Sequence, residues 1–215
     1  MIKVAYSVKL HAHDAVEDLK LQLGGLDPRV ILCFASTRQE PHELLRLINQ
    51  AYPHALVNGA TTAGEIVSGK VLKGGVVAMA LESDIVEKAV AVVVDDLGPR
   101  MDVDAAIANL EKHFGVPLAG LDPDRHVGIV ITDGLSGAEE RLIEAINEKT
   151  EIAFVGGSAG DDLKFEKTLV FSGKTVHERS AILLLMKVPR GFEVVKTQSF
   201  KPTGIVLEAT DVDVE

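Results

Sequence analysis

Apolar residues recur at intervals of three and four positions in four segments of the chain, which is the spacing of a helix that buries one face. The segments predicted to be helical are residues 14–23, 41–51, 102–114 and a stretch that begins near Ser136. Asp14 and Ser136 are each followed three residues later by a glutamate, as in a capping box that satisfies the free amides at a helix start. We therefore predict four amphipathic helices, with Asp14 and Ser136 at the starts of the first and the last.

Between these helices lie short apolar runs of the length of buried strands. Residues 30–35, 127–131 and 181–186 are apolar at consecutive positions, which indicates burial on both faces. In each half a strand, a helix and a second strand follow within roughly 30 residues, the signature of a parallel pair. Residues 76–81 and 85–94 are separated by only three polar residues, so we expect an antiparallel hairpin. The predicted fold class is α/β, with mixed parallel and antiparallel sheets covered by helices.

The order of these elements occurs twice. The tetrapeptide GLDP at residues 25–28 recurs at residues 120–123, and in both copies a helix precedes it while a strand, a helix and a glycine-rich segment follow. A repeated supersecondary unit is typical of internal duplication. We expect one domain, residues 1–204, made of two similar halves at about 1–98 and 99–204, with a short seam at residues 97–100.

Composition narrows the function classes. The chain has 22 Lys and Arg against 32 Asp and Glu, a formal charge of −10, and only 4 % aromatic residues. Nucleic acids and anionic lipids both select basic surfaces, so neither is an expected partner. No apolar run is long enough to span a bilayer, and the first residues lack the pattern of a signal peptide. With a single cysteine, Cys33, the chain is expected to be cytoplasmic.

Two glycine-rich segments, residues 55–65 and 153–162, form the candidate functional site. Each follows a helix of a predicted parallel unit, and the carboxyl ends of parallel strands are where α/β proteins place ligands. Small residues let a ligand approach the backbone, and hydroxyls donate or accept hydrogen bonds. Both segments could equally be structural turns. Together with an aspartate at the end of the preceding strand, the predicted ligand-binding residues are Gly59, Thr61, Thr62, Gly64, Glu65, Asp133, Gly156, Gly157, Ser158 and Asp161.

Catalytic and metal sites have less support in the sequence. Residues 156–160 match the G-x-S-x-G elbow of serine hydrolases, with Ser158 as nucleophile, but that elbow leads into a helix, whereas a strand pattern follows here. The histidine required downstream could only be His177. His11 and His13 have a spacing found in metal sites, without an identifiable third ligand. Neither glycine-rich segment is a phosphate-binding loop, so we predict no catalytic residue, metal or cofactor.

Three motifs taken together resemble the FIST domain, a module named for F-box and intracellular signal transduction proteins. They are VILCFAST (residues 30–37), ALVNGATTAGEI (residues 55–66) and FVGGSAGDD (residues 154–162). The resemblance runs from about residue 14 to about residue 204 and corresponds to the N-terminal FIST subdomain. It implies a sensory module that binds small ligands such as amino acids, with no catalytic residues. It also implies a C-terminal FIST subdomain or a signalling output partner, and residues 205–215 would be the start of that subdomain or a tail.

The sequence therefore predicts a non-catalytic sensor whose two glycine-rich segments clasp a small metabolite in a polar hollow. Two alternatives remain open at this point. One is a serine hydrolase that uses Ser158, and the other is a scaffold that binds only proteins.

Overall fold

A computed structural model of the chain describes residues 1–99, 101–196, 200–206, 208 and 210. Arg100, part of the predicted seam, and most of the segment 205–215 lie outside the described residues. Within the described part, no helix combines the length and the hydropathy that crossing a membrane requires.

The described residues form four α-helices, where the apolar periodicity predicts them. They are α1 (Ala12–Leu23), α2 (Pro41–Ala51), α3 (Val103–Phe114) and α4 (Glu139–Asn147). Each buries an apolar stripe, and a short 3-10 turn at Leu118–Gly120 follows α3. The helix predictions are confirmed.

Two of the helix starts differ from the prediction. α1 begins two residues before Asp14, which therefore lies inside the helix. α4 begins three residues after Ser136, because the Ser136 hydroxyl donates to the Asp133 carbonyl (2.7 Å) and belongs to the preceding turn. Both capping-box predictions are wrong. In α3, by contrast, the Asp102 carboxylate accepts a hydrogen bond from the Ala105 amide (2.8 Å) and caps the helix.

The predicted apolar runs 30–35, 76–81, 127–131 and 181–186 lie within strands of the described chain, whereas the run 85–94 forms a strand only from residue 88 onwards. In chain order these strands are β1 (Ile2–Ser7), β2 (Val30–Ser36), β3 (Leu56–Thr62), β4 (Glu65–Val67), β5 (Lys70–Leu72), β6 (Val76–Leu81), β7 (Lys88–Val94), β8 (His126–Thr132), β9 (Phe154–Ser158), β10 (Val170–Ser172), β11 (Thr175–His177) and β12 (Ala181–Lys187). One sheet has six strands in the order β1-β6-β2-β3-β10-β11, and a second has four in the order β7-β12-β8-β9. β4 and β5 form a separate hairpin. Both predicted parallel pairs are confirmed, β2 with β3 and β8 with β9.

The hairpin predicted between residues 76–81 and 85–94 is wrong. β6 lies between β1 and β2 in the six-stranded sheet, whereas β7 pairs with β12 in the four-stranded sheet. A short polar connection normally indicates a hairpin. Here β1 and β2 occupy both edges of β6, so β7 has no free edge of β6 to pair with, and the connection carries the chain from one sheet to the other.

The two sheets stack face to face between two layers of helices. In β2, Ile31, Cys33 and Ala35 pack against α1 and α2, while Val30 and Leu32 pack against the four-stranded sheet. β12 alternates in the same way between the layer of α3 and α4 and the six-stranded sheet. Burial on both faces explains why these strands are continuous apolar runs in the sequence.

Each sheet contains one parallel pair joined by a helix, β2-α2-β3 in one and β8-α4-β9 in the other. The sheets also take strands from both halves of the chain. β7, from residues 1–98, belongs to the four-stranded sheet, while β10 and β11, from residues 99–204, belong to the six-stranded sheet. The halves are joined through both sheets, and internal duplication stays a prediction.

Candidate functional site

The two glycine-rich segments are largely strands rather than turns. β3 contains Gly59, and β9 contains Gly156 and Gly157; each strand is the second member of a parallel pair. The segments meet where the Gly160 amide donates to the Thr61 carbonyl (2.9 Å). The fold therefore brings the two predicted segments together, one from each sheet.

Gly59 and Gly156 occupy matching places in the two parallel pairs. Gly59 lies opposite Cys33 of β2, and Gly156 lies opposite Val130 of β8. A Cβ atom on either glycine would lie 1.7 Å from the carbonyl oxygen of the opposite residue. No side chain fits at that distance, so both glycines are needed for strand pairing.

A hollow of about 420 Å³ opens between β3 and β9, with β2 and β8 completing its walls. We call it the β3/β9 hollow. Three of its lining residues carry hydroxyls and the others are apolar or glycine. Most of the apolar ones lie on the inner faces of the two sheets. The expectation of a polar hollow is wrong in this respect. The lining residues are Leu32, Phe34, Ala60, Thr61, Thr62, Ile129, Ile131, Val155, Gly156, Gly157 and Ser158.

Gly157 leaves the β3/β9 hollow open. It lies opposite Ile131 of β8, which also lines the hollow. No atom lies within 4 Å of the position that a Cβ atom on Gly157 would occupy. A side chain at this position would enter empty space, in contrast to one at Gly156.

Asn58 is a buried polar residue that the sequence analysis missed. It is 0 % exposed, and neither its amide nitrogen nor its amide oxygen has a hydrogen-bond partner among the described residues. It lies opposite Leu32 in the β2–β3 register and two positions before Ala60 on the same face of β3. Both neighbours line the β3/β9 hollow. An unsatisfied buried amide needs an explanation, such as a bound molecule.

Ser158 lacks the partners of a hydrolase nucleophile. Its hydroxyl donates to a carboxylate oxygen of Glu139 (2.8 Å) and accepts from the hydroxyl of Thr132 (3.1 Å). His177 instead lies 3.7 Å from a carboxylate oxygen of Asp95. No helix follows β9 in the described chain before β10 begins, so the strand-to-helix geometry of a nucleophile elbow is not formed.

Glu65 connects β3 to the segment before β6. Its side chain is buried, one carboxylate oxygen accepts from the Thr62 hydroxyl (2.7 Å), and the other accepts from the Gly75 amide (3.0 Å). Gly64 lies beside it, with its Cβ position 3.5 Å from the Leu72 carbonyl oxygen. Neither Gly64 nor Glu65 lines the β3/β9 hollow.

Asp161 organises the loop that follows β9. Its carboxylate accepts backbone hydrogen bonds from Lys164, Phe165, Glu166 and Lys167, at 2.6 to 3.1 Å. These amides, that of Lys167 foremost, hold the pKa of Asp161 below its usual value against the opposing effect of desolvation. The negative charge of Asp161 therefore stabilises the loop through these four amides.

Asp162, one residue further, joins this loop to the end of β2. Its carboxylate accepts from the hydroxyls of Ser36 and Thr37, both at 3.3 Å, and lies 3.9 Å from the Arg38 guanidinium. These contacts connect residues about 125 positions apart. Asp162 lies in the glycine-rich segment 153–162 but is not one of the ten predicted binding residues.

Asp133 lies in a different place from the β3/β9 hollow. Its buried carboxylate accepts from the Leu135 amide (2.9 Å), the Thr168 hydroxyl (2.5 Å) and the Arg179 amide (2.7 Å). It borders a separate, charged hollow of about 440 Å³ that shares no residue with the first. Of the ten predicted binding residues, the fold gathers only five around the β3/β9 hollow, namely Thr61, Thr62, Gly156, Gly157 and Ser158.

The remaining candidates line neither hollow. Burial raises the pKa of the Cys33 thiol to about 12, so it stays protonated and is not a nucleophile at neutral pH. His13 lies on the surface, 3.5 Å from the carboxylate of the neighbouring Asp14. Within the described residues, no three His, Cys, Asp or Glu side chains are grouped to hold a metal ion.

Fold and site together define an α/β sandwich with a mostly apolar hollow, suited to enclosing a small molecule. The model of the FIST N domain family matches residues 29–215. The chain therefore belongs to the FIST N domain family, a family of sensory domains of signal transduction that is generally non-catalytic. No curated protein sequence matches the chain at a significant level.

Proposed function

We propose that this domain senses a small molecule that binds in the β3/β9 hollow and is not chemically changed there. The observation that carries the proposal is the unsatisfied amide of Asn58, which lies beside two lining residues of a hollow that Gly157 leaves open. A volume of about 420 Å³ lies within the range typical of small-molecule sites.

The chemistry of the lining limits the ligand class. Leu32, Phe34, Ile129 and Ile131 offer apolar contact, so the ligand has an aliphatic or aromatic part. The free amide of Asn58 favours a second, hydrogen-bonding part. The hydroxyls of the lining can only accept from it, because all three already donate to other groups of the protein. Amino acids with apolar side chains combine the two, and they are the ligands that we propose to test first.

Signalling by this site requires that the ligand bind one arrangement of the protein better than another. A ligand in the β3/β9 hollow would contact both sheets at once, because β3 belongs to the six-stranded sheet and β9 to the four-stranded sheet. It would therefore favour the arrangement in which the two sheets are close at this edge. An output partner or a C-terminal FIST subdomain would respond to that arrangement.

Thermal unfolding in the presence of each of the twenty common amino acids tests the proposal. At 100 times its dissociation constant a ligand adds about 2.7 kcal/mol, which raises the midpoint by roughly 5 to 10 °C for a domain of this size. Gly157→Val fills the hollow, so it should remove this rise while keeping the stability of the free protein. Gly25→Val, at another glycine whose Cβ would meet no atom within 4 Å, is the matched control.

A second variant tests the part assigned to Asn58. Asn58→Leu removes an unsatisfied buried amide, so the free protein should become more stable, by about 1 kcal/mol, while the ligand-induced rise becomes smaller. If no amino acid raises the midpoint, the ligand class is wrong. If a ligand stabilises wild type and Gly157→Val equally, the site lies elsewhere.

A further inference from the structure

The six-stranded sheet extends beyond the four-stranded sheet on the side of β6 and β1. Val4 of β1 and Met79 of β6 are 38 % and 37 % exposed, whereas Val30, on the same face of β2, is 0 % exposed beneath the four-stranded sheet. The register aligns the side chains of this face in two cross-strand rows. These rows are Val4, Met79 and Leu32, and Tyr6, Val77 and Phe34.

This face continues the buried interface between the sheets. A hollow of about 320 Å³ lies over it and shares Leu32 and Phe34 with the β3/β9 hollow. Leu32 also belongs to the core that the two sheets bury between them. We call the combined surface the apolar groove. Its floor is Val4, Leu32, Phe34, Val77 and Met79, and its side towards the four-stranded sheet is Ile129, Ile131, Val155 and Gly157. The β4–β5 hairpin borders the groove as well, through residues 66–69.

The edge of β9 that borders this groove is open. The residues that flank β9 show which of its backbone groups face β8. The Ala153 carbonyl accepts from the Gly128 amide, and the Ala159 amide donates to the Thr132 carbonyl. The odd-numbered residues therefore bond to β8. In a parallel ladder the alternate residues then direct their N–H and C=O groups away from β8. Phe154, Gly156 and Ser158 are these residues, and no described strand pairs with that edge. The sequence of β9 has no charge, proline or bulge that would protect the edge.

The edge strand β1 of the other sheet is protected. The Gln22 side chain of α1 accepts from the Tyr6 amide (3.1 Å) and donates to the Tyr6 carbonyl (2.7 Å). A side chain thus occupies the backbone groups that another strand would need. No such side-chain contact to the outward backbone groups of β9 is found among the described residues.

We propose that an extended segment of a partner protein, with apolar residues alternating with basic ones, pairs with the outer edge of β9 and covers the apolar groove. A strand added there lies over β6 and β1, because the four-stranded sheet ends at β9 while the six-stranded sheet continues. Its alternate side chains face the groove and replace the contacts that Val4 and Met79 lack. This is strand addition, in which main-chain bonds give affinity and alternate side chains give specificity.

The charge of the surroundings selects the other side chains of the segment. Residues on the outer face of the added strand lie beside α4, which carries three glutamates and one arginine. The Glu139 carboxylate is in contact with Ser158 at the end of β9. Together with the formal charge of −10, this favours lysine or arginine at these positions.

A second copy of this chain does not fit the same edge. Antiparallel pairing of β9 with its counterpart places a two-fold axis perpendicular to the joined sheet. Both overhanging six-stranded sheets would then lie on the same side of that sheet and occupy the same space. A single added segment avoids this collision.

A seven-residue peptide of alternating lysine and valine, acetylated and amidated, is the probe. We expect saturating peptide to slow hydrogen exchange at the Gly156 and Ser158 amides, measured by NMR. Ser158→Pro removes an outward N–H without removing a bond to β8, so it should weaken peptide binding about tenfold. Ser158→Ala loses the same hydroxyl but keeps the N–H, so it should bind the peptide clearly more tightly than Ser158→Pro.

Met79→Lys tests the groove, since a charge on its floor should weaken binding about tenfold. Leu21→Lys changes an equally apolar residue that is 81 % exposed on α1 and should leave binding unchanged. Circular dichroism confirms that each variant is folded. The proposal is overturned if the lysine–valine peptide fails to bind wild type, binds Ser158→Pro as well as Ser158→Ala, or binds no better than a glutamate–valine peptide.

Discussion

At the scale of the residue, neighbouring glycines differ in what surrounds them. Gly156 faces a carbonyl of β8 at a distance that no side chain tolerates, while Gly157 faces the open hollow. The same residue type therefore permits strand pairing at one position and leaves the β3/β9 hollow open at the next. The distinction predicts different responses to substitution.

Gly59→Ala and Gly156→Ala should each lower the free energy of unfolding by about 3 kcal/mol, because the added Cβ forces β3 or β9 away from its partner. Gly157→Ala should change it by less than about 0.5 kcal/mol. Urea unfolding of the three variants measures the difference. Equal losses at Gly156 and Gly157 would contradict the geometry given for β9.

Asp161 makes stability depend on pH in a defined direction. Because its pKa is lowered in the folded state, its contribution is complete above about pH 4 and is lost as the pH falls through the folded-state pKa. When the pH is lowered from neutral to below the pKa of an ordinary aspartate, the Asp161→Asn variant should therefore lose less stability than wild type.

Urea midpoints at a series of pH values provide the measurement. Glu166→Gln removes one carboxylate from the same loop but keeps the Glu166 amide that bonds to Asp161, so it should retain the wild-type pH dependence. If Asp161→Asn follows the wild-type profile, the four amide contacts do not stabilise the charged form.

At the scale of the element, one of the four described helices begins where a side chain reaches a free amide. Asp102 does so in α3, while Asp14 lies inside α1 although its sequence fits a capping box. In β9, backbone amides are again the relevant groups. β9 pairs with β8 along one edge, so the amides of every second residue point away from β8 and are available to another strand. Both features depend on backbone geometry as well as residue type.

Asp102→Ala should destabilise the protein by about 1 kcal/mol through loss of the cap of α3. Asp14→Ala, the corresponding change at the position where the sequence predicts a cap, should have an effect below about 0.5 kcal/mol. Chemical denaturation of both variants is the test. A larger loss for Asp14→Ala than for Asp102→Ala would contradict the observed helix starts.

At the scale of the whole molecule, the two sheets take strands from both halves of the chain. β7 pairs with β12, and β10 pairs with β3, so each sheet needs residues from before and after the seam. The inner faces bury a common core between them. Neither half contains all strands of the six-stranded or the four-stranded sheet. The halves should therefore depend on one another for stability.

We expect the chain to unfold in a single cooperative transition, with hydrogen exchange in β2 and in β12 reporting the same free energy of opening. Fragments 1–98 and 99–204, produced separately, should not fold. Two separate transitions, or a folded fragment with native near-ultraviolet circular dichroism, would instead show independent halves.

Much of the fold was accessible from local patterns. Apolar periodicity predicted α2 and α3, and continuous apolar runs predicted β2, β8 and β12. Both patterns are visible in the sequence because each buried position requires an apolar residue. The parallel pairs followed from the strand–helix–strand spacing. The hairpin predicted within residues 76–94 was wrong because local spacing does not reveal that both edges of β6 are already paired with other strands.

The candidate site was only partly accessible for a related reason. Glycine-rich composition located the two segments that border the β3/β9 hollow, and short-range chemistry suggested Ser158. Which glycine faces a carbonyl, which faces empty space and whether Asn58 finds a partner depend on residues far away in the chain. The sequence by itself thus determined the elements, the parallel pairs and the neighbourhood of the site. Only the tertiary structure decided the strand exchange, the apolar lining and the open edge of β9, since these arise from how distant strands stack and where one sheet ends before the other.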